Sequence, residues 1–172
     1  MDICRKLVKD NPHTYLRYVA GTLNNLAVLH CYLIQYADAE KEYQEALDIY
    51  KIMAKDNPNA YLAYVAMTLN NLGLLHSTLK KYDAAENEYQ EALDIYRNLA
   101  KGYPDAYMGD VAMTLYNMAL LRMQDEQRID EAKQAAQEAL DLFKTMAQKA
   151  PQRWNPYVDK AQRLLDEING LL

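Results

Sequence analysis

Two residue types recur at spacings that could do chemistry. Asn25, Asn71 and Asn117 lie 46 residues apart, and an amide, being both donor and acceptor, can pair with a peptide backbone whatever side chains the peptide carries. His30 and His76 repeat at the same interval and raise the question of a metal. Adjacent packed helices stand about 8 to 10 Å apart, however, whereas a shared metal needs both imidazoles within about 2 Å of it, so the pair predicts no metal. Cys4 and Cys31 have neither the spacing of a metal knuckle nor the number for a disulfide framework, which points to a reducing compartment. No Ser/His/Asp or Cys/His constellation, phosphate loop or dinucleotide fingerprint occurs. These residues predict a protein that is not an enzyme and takes no cofactor.

The 46-residue interval belongs to the whole chain. Tyr-Leu-x-Tyr-Val-Ala-x-Thr-Leu-Asn-Asn-Leu begins at Tyr15 and again at Tyr61, and Val-Ala-Met-Thr-Leu-Tyr-Asn-Met follows in step from Val111. Tyr-Gln-Glu-Ala-Leu-Asp-Ile-Tyr begins at Tyr43 and Tyr89 and returns from Gln137 as Gln-Glu-Ala-Leu-Asp-Leu-Phe, displaced by one extra residue. A fixed period of this size marks a solenoid, whose units cannot bury their apolar faces alone and so stack on their neighbours. Hydrophobic residues make up 51% of the chain while Gly and Pro number only 5 each, which favours an all-helical fold over a β-rich or disordered one. The net charge of −5, with no local cluster of Lys and Arg, offers no footprint for nucleic acid or an anionic membrane. The longest apolar run, near residues 26–34, is broken by His30 and far too short to span a bilayer. With no targeting segment, the expected location is cytoplasmic.

Within each period two amphipathic helical patterns alternate. The first covers residues 15–33, 60–79 and 106–123, and the second covers 38–55, 83–101 and 130–149. Pro12, Pro58, Pro104 and Pro151 punctuate the joints, where a helix cannot continue. Asp83 with Glu86 predicts an N-cap and capping box, and Asp130 the matching start one copy later.

Leu69, Leu72, Gly73, Ala85, Tyr89 and Ala92 fall at the spacings of the tetratricopeptide repeat, as do Leu23, Leu26, Ala27, Ala39, Tyr43 and Ala46 before them. Leu115, Met118, Ala119, Ala132, Ala136 and Ala139 follow the same pattern in the third copy. The chain thus resembles tetratricopeptide proteins, and the run Thr-Leu-Asn-Asn-Leu-Ala-Val-Leu-His from Thr22 is most similar to the long-repeat type of kinesin light chains and many bacterial members. It departs from the common repeat in period, in having Leu where Trp is usual, and in having His30, His76 and Arg122 where Tyr is usual. The resemblance implies an all-α superhelix of antiparallel helix pairs, seven to eight helices in all. The expected divisions are a partial repeat over 1–12, repeats over 13–58, 59–104 and 105–151, and a C-terminal capping helix within 152–172, read at 155–169 and ending at Gly170.

In the resembled family the first helices line a concave groove. Carried over residue by residue, that groove comprises Asn24, Asn25, Val28, Met67, Asn70, Asn71, Leu74, Met113, Tyr116, Asn117 and Leu120, with Gly21, Cys31, Ser77 and Met123 beside them. No Lys or Arg occupies these positions, which disfavours a clamp for a C-terminal carboxylate. Val28, Leu74 and Leu120 with the methionines suit an apolar extended peptide or an amphipathic partner helix, unless the long helices bury them in the scaffold. The 15 tyrosines mostly recur with the period and are read as packing between units, hydroxyls at the wet edge. The expected function is a protein-interaction scaffold with a protein or peptide partner; a self-associating structural module or an accessory domain of a larger protein are the alternatives. The first residues align with the second helix of a repeat that lacks its first, so Ile3, Cys4 and Leu7 predict a sticky end and a homodimer through it, or a parent with more repeats in front.

Overall fold

A computed structural model describes residues 12–171. Among them are seven α-helices: α1 (Pro12–Tyr32), α2 (Tyr36–Asp56), α3 (Pro58–Thr78), α4 (Tyr82–Gly102), α5 (Pro104–Arg122), α6 (Ile129–Lys149) and α7 (Pro151–Asn169). One turn of 3-10 helix, Glu126–Arg128, precedes α6, and no strand occurs among the described residues. The partial repeat predicted before Pro12, with Ile3, Cys4 and Leu7, lies outside them.

The joints follow proline chemistry. Pro58, Pro104 and Pro151 each open a helix, at a position where the missing N–H has no intrahelical partner to lose. Asn57 accepts a hydrogen bond from the Ala60 amide at 3.3 Å and so caps α3. The capping expectation elsewhere is corrected. α4 and α6 begin one residue earlier than predicted, which places Asp83 and Asp130 inside the first turn rather than at the cap. There they still complement the positive end of the helix dipole. Glu86 does not reach back to the cap but turns to Arg122 and Arg128. The terminal helix likewise starts at Pro151, four residues before its expected start, and carries Pro156 inside its second turn.

The turns between first and second helices differ between copies. Ile34 and Lys80 occupy the same repeat position and both take a left-handed backbone, with φ of 61° and 58°. This conformation lets the Gln35 and Lys81 amides close onto the His30 and His76 carbonyls at 2.8 Å, satisfying the last turn of each helix. The third copy has one extra residue and solves the same joint with the 3-10 turn, where the Asp125 carboxylate accepts from the Gln127 amide.

The chain forms two compact units, Met1–Lys81 and Tyr82–Leu172, divided between the two helices of the predicted second repeat. In the first, α1 packs on α2 and α2 on α3; in the second, α4, α5, α6 and α7 pack in succession. Small residues set the approach of these helices. Ala39 and Ala46 on α2 are fully buried, and Ala112, Ala119, Ala132, Ala136 and Ala139 are fully buried in the second unit. Larger side chains there would overpack the contact, a change that costs about 1 to 3 kcal/mol.

Candidate functional site

In the first unit α1 and α3 expose adjoining faces. At their middle the buried Asn24 accepts a hydrogen bond from the half-buried Asn71, Nδ2 to Oδ1 at 3.2 Å. Asn71 therefore holds the scaffold together as well as facing outward, and its removal would leave a buried amide short of a partner. Asn25 is exposed, while Met67 and Asn70 are half-buried.

Toward the C-terminal ends of α1 and α3 lies a cavity of about 400 Å3 whose walls include Val28, Cys31, Tyr36, Asn71, Leu74 and Thr78. Its rim holds Leu74, 54% exposed, and Tyr32. Burial pushes the Cys31 thiol above its ordinary value although the Tyr43 hydroxyl bonded to it works the other way, so the sulfur is a weak nucleophile. Burial likewise raises the Tyr43 phenol, and the Cys31 contact adds to it. The cavity is a neutral recess with polar edges.

Toward the N-terminal ends the same helices form a second recess, of about 330 Å3, which the sequence reading missed. Its described walls are Arg17, Tyr18, Gly21, Tyr50, Tyr61 and Tyr64, with Ala60 behind. Tyr50, reaching up from α2, stacks on Tyr64 with ring centres 5.2 Å apart, and Tyr61 lies 6.4 Å from Tyr64. Burial pushes the Tyr50 phenol up to about 12. Tyr18 and Tyr64 remain 50% and 45% exposed, so their rings are presented rather than packed away. The Arg17 guanidinium lies over the Tyr18 ring at 4.5 Å and donates to its hydroxyl. A signal was available: Tyr18 and Tyr64 stand one period apart, on the stripe that continues through Gly21 and Met67, and the next copy breaks it with Asp110.

The second unit builds the equivalent recess from different chemistry. Asp110 stands where Tyr18 and Tyr64 stand, and the recess is walled by Asp105, Asp110, Met113, Arg153, Trp154 and Tyr157. Phe143, Trp154 and Tyr157 form a closed ring cluster with centres 5.5 to 6.0 Å apart. Desolvation raises the Asp110 carboxyl above its ordinary value, with Arg153 opposing the shift. On the same helix, α5, Tyr116 and Asn117 are half-buried and Leu120 is partly exposed.

The positions where the resemblance implied tyrosine carry ties between helices. His30 Nδ1 meets Glu42 at 2.7 Å on the neighbouring α2, and His76 Nε2 meets Glu40 at 3.0 Å, where Lys81 also bonds at 2.7 Å. In the second unit Arg122 meets Glu86 at 2.6 Å, and Arg128 joins the same carboxylate at 3.0 Å. Burial opposes ionisation of Glu86, but the two arginines outweigh it and hold its carboxyl below the ordinary value. Lys81 first and His76 second do the same for Glu40. Among the described residues no three His, Cys, Asp or Glu side chains gather as a metal site, and no helix is long and apolar enough to cross a membrane.

Comparison with known proteins agrees with the helical pairing. Residues 18–98 match the family model of the tetratricopeptide repeat. Among solved structures, BtubC (BKLC) from P. vanneervenii superposes with a TM-score of 0.57 at 24% identity, over 88% of this chain and 65% of that one. That likeness is one of fold, and this chain spans about 65% of the length of its structural relative. No curated protein matches the sequence. Residues 18–98, with their alternating helices and buried alanines, thus match the tetratricopeptide repeat.

Proposed function

We propose that the protein is an interaction scaffold and that the adjoining faces of α1 and α3 in its first unit take an extended peptide from a partner. The family supports the general role. The observation that carries the specific one is the pairing of two recesses on a single face, an apolar one below the Asn24–Asn71 bond and a tyrosine-walled one above it. Tyr18 and Tyr32 are 14 positions apart on α1, or about 21 Å along its axis. That distance accommodates about six extended residues. A peptide so placed buries Leu74 and Val28 under an apolar anchor and offers its backbone to Asn25 and Asn71. In the second unit the α5 face, with Met113, Tyr116, Asn117 and Leu120, is a separate candidate surface of the same kind.

The test is selection of binders from a random peptide display library on the intact protein, followed by titration of the selected peptides against Leu74→Glu and Val28→Glu. Both variants change half-exposed or exposed positions, so folding is checked by circular dichroism and retained. Loss of affinity of about tenfold or more in both, at an unchanged melting temperature, supports the assignment. Equal binding by wild type and variants removes it.

A further inference from the structure

The tyrosine-walled recess narrows what the peptide must be. Its described polar groups are four phenol hydroxyls and one guanidinium; among the described residues no carboxylate, amide or alcohol side chain lines it. Arg17 donates to the Tyr18 oxygen, and the Tyr18 hydroxyl keeps its own proton to donate. Arg17 makes no ion pair among the described residues, so its charge is available. The recess therefore has flat ring faces, outward donors and one uncompensated positive charge.

A proline-rich segment has the complementary chemistry. Proline has no backbone N–H, so the segment offers carbonyl acceptors without donors needing partners, and its rings lie flat on aromatic faces. It is already extended before binding, in a helix of three residues per turn that rises about 3.1 Å per residue, so little entropy is lost on docking. Every third residue recurs after about 9 Å, so successive prolines can reach rings carried on two different helices, as Tyr18 on α1 and Tyr64 on α3 are. We infer that the Arg17, Tyr18, Tyr50, Tyr61 and Tyr64 recess binds a proline-rich segment of a partner protein that carries an acidic residue beside its prolines. The acidic neighbour follows from charge complementarity with Arg17. The equivalent recess of the second unit, with Asp105, Asp110 and Arg153 in its wall, lacks this unopposed positive charge. This inference rests on the proposed peptide-binding face, of which the recess is the upper half.

The experiment uses fluorescence anisotropy with the full chain and three labelled probes: Glu-Pro-Pro-Ala-Pro-Pro-Glu, the same peptide with Lys for Glu, and a single-stranded oligothymidine. The acidic peptide is expected to bind at least about tenfold more tightly than the basic one. Arg17→Glu, which alters an exposed side chain, is expected to reverse that order, and Tyr18→Ser to abolish binding of the acidic peptide. Thermal melts exclude unfolding, and the charge reversal is a readout that misfolding cannot mimic. Absence of binding by the acidic peptide, an order that Arg17→Glu leaves unchanged, or binding of the oligothymidine alone, which assigns the rings to nucleobases, overturns the inference. If the display-selected peptides still depend on Leu74 and Val28 while the proline peptides fail, only the proline inference falls. If both fail, the binding face falls with it.

Discussion

The same recess is built twice, and the two versions differ where a ligand would notice. In the first unit the pattern of aromatic residues from a second helix and the next first helix reads Tyr50, Tyr61 and Tyr64, with Tyr18 opposite; in the second it reads Phe143, Trp154 and Tyr157, with Asp110 opposite. The larger Trp154 leans over Gly109 on α5, beside a recess of about 310 Å3. Substituting one ring by a carboxylate and enlarging another turns a cradle of phenols and one guanidinium into one of mixed charge, with Asp105, Asp110 and Arg153 in its wall. Repeat scaffolds separate the two tasks: small buried residues fix the helix spacing, and the outward stripe is free to change its chemistry copy by copy.

The ties differ in the same way. Glu86 is pinned by two guanidiniums, and Arg122 is nearly buried, with 15% of its side chain exposed. Glu40 is shared by Lys81, an exposed cation, and by His76, whose contact is ionic only when the imidazole is protonated. The largest predicted effect is thus Glu86→Ala. Leaving Arg122 without its carboxylate should lower stability by about 3 kcal/mol, read from the urea midpoint, whereas Glu40→Ala, at a more solvent-screened site, should lose about 1 kcal/mol or less. Equal losses would mean that the two ties are equivalent.

Acid should reveal the same ties. Both carboxyls lie below their ordinary values in the folded protein, so they stabilise it above the usual carboxylate range, and that contribution disappears as pH falls through the depressed values. Melting temperatures measured between neutral and acid pH should therefore fall less steeply in Glu86→Gln than in wild type. An unchanged slope would contradict the assignment.

The glycines sharpen the comparison further. A Cβ at Gly109 runs into the Trp154 ring, whereas one at Gly21 meets the Tyr50 hydroxyl at an ordinary 3.5 Å. Gly109→Ala should lose about 1 kcal/mol, as overpacking exceeds the helix-propensity gain. Gly21→Ala should gain up to about 1 kcal/mol. Opposite signs in thermal melts are the expected result; a gain in both would mean that Trp154 yields freely. A similar small gain is expected for Ile34→Gly, because an exposed β-branched residue with φ of 61° is replaced by one that adopts this backbone without strain, worth about 1 kcal/mol.

How much of this was legible in the sequence depends on the range of the interactions involved. The helix pairs follow from a local period, and Pro58, Pro104 and Pro151 mark their starts because proline acts on its own backbone. Ala39, Ala46, Ala132 and Ala139 were readable as repeat positions because the same period sets them. The partners of His76 and Arg122 were not, since Glu40 and Glu86 lie 36 residues earlier. Asp83 resembled a cap because capping chemistry and first-turn electrostatics favour the same residue types one position apart. The extra residue in the third copy was visible, but not that it becomes a 3-10 turn. The tyrosine recess was hidden by its own regularity: a ring that repeats with the period reads as packing, and only exposure separates Tyr18 and Tyr64 from the buried Tyr43 and Tyr89.

Binding is proposed on the α1 and α3 face of the first unit. Amide chemical-shift mapping of the full chain during titration with Glu-Pro-Pro-Ala-Pro-Pro-Glu tests it most directly. Saturable shifts are expected at Arg17, Tyr18, Gly21, Tyr61 and Tyr64, extending to Asn71 for peptides with an added apolar C-terminal residue, and none around Asp110 and Trp154. Shifts confined to α2, α4 or α6, or centred on the second unit's recess, would contradict it.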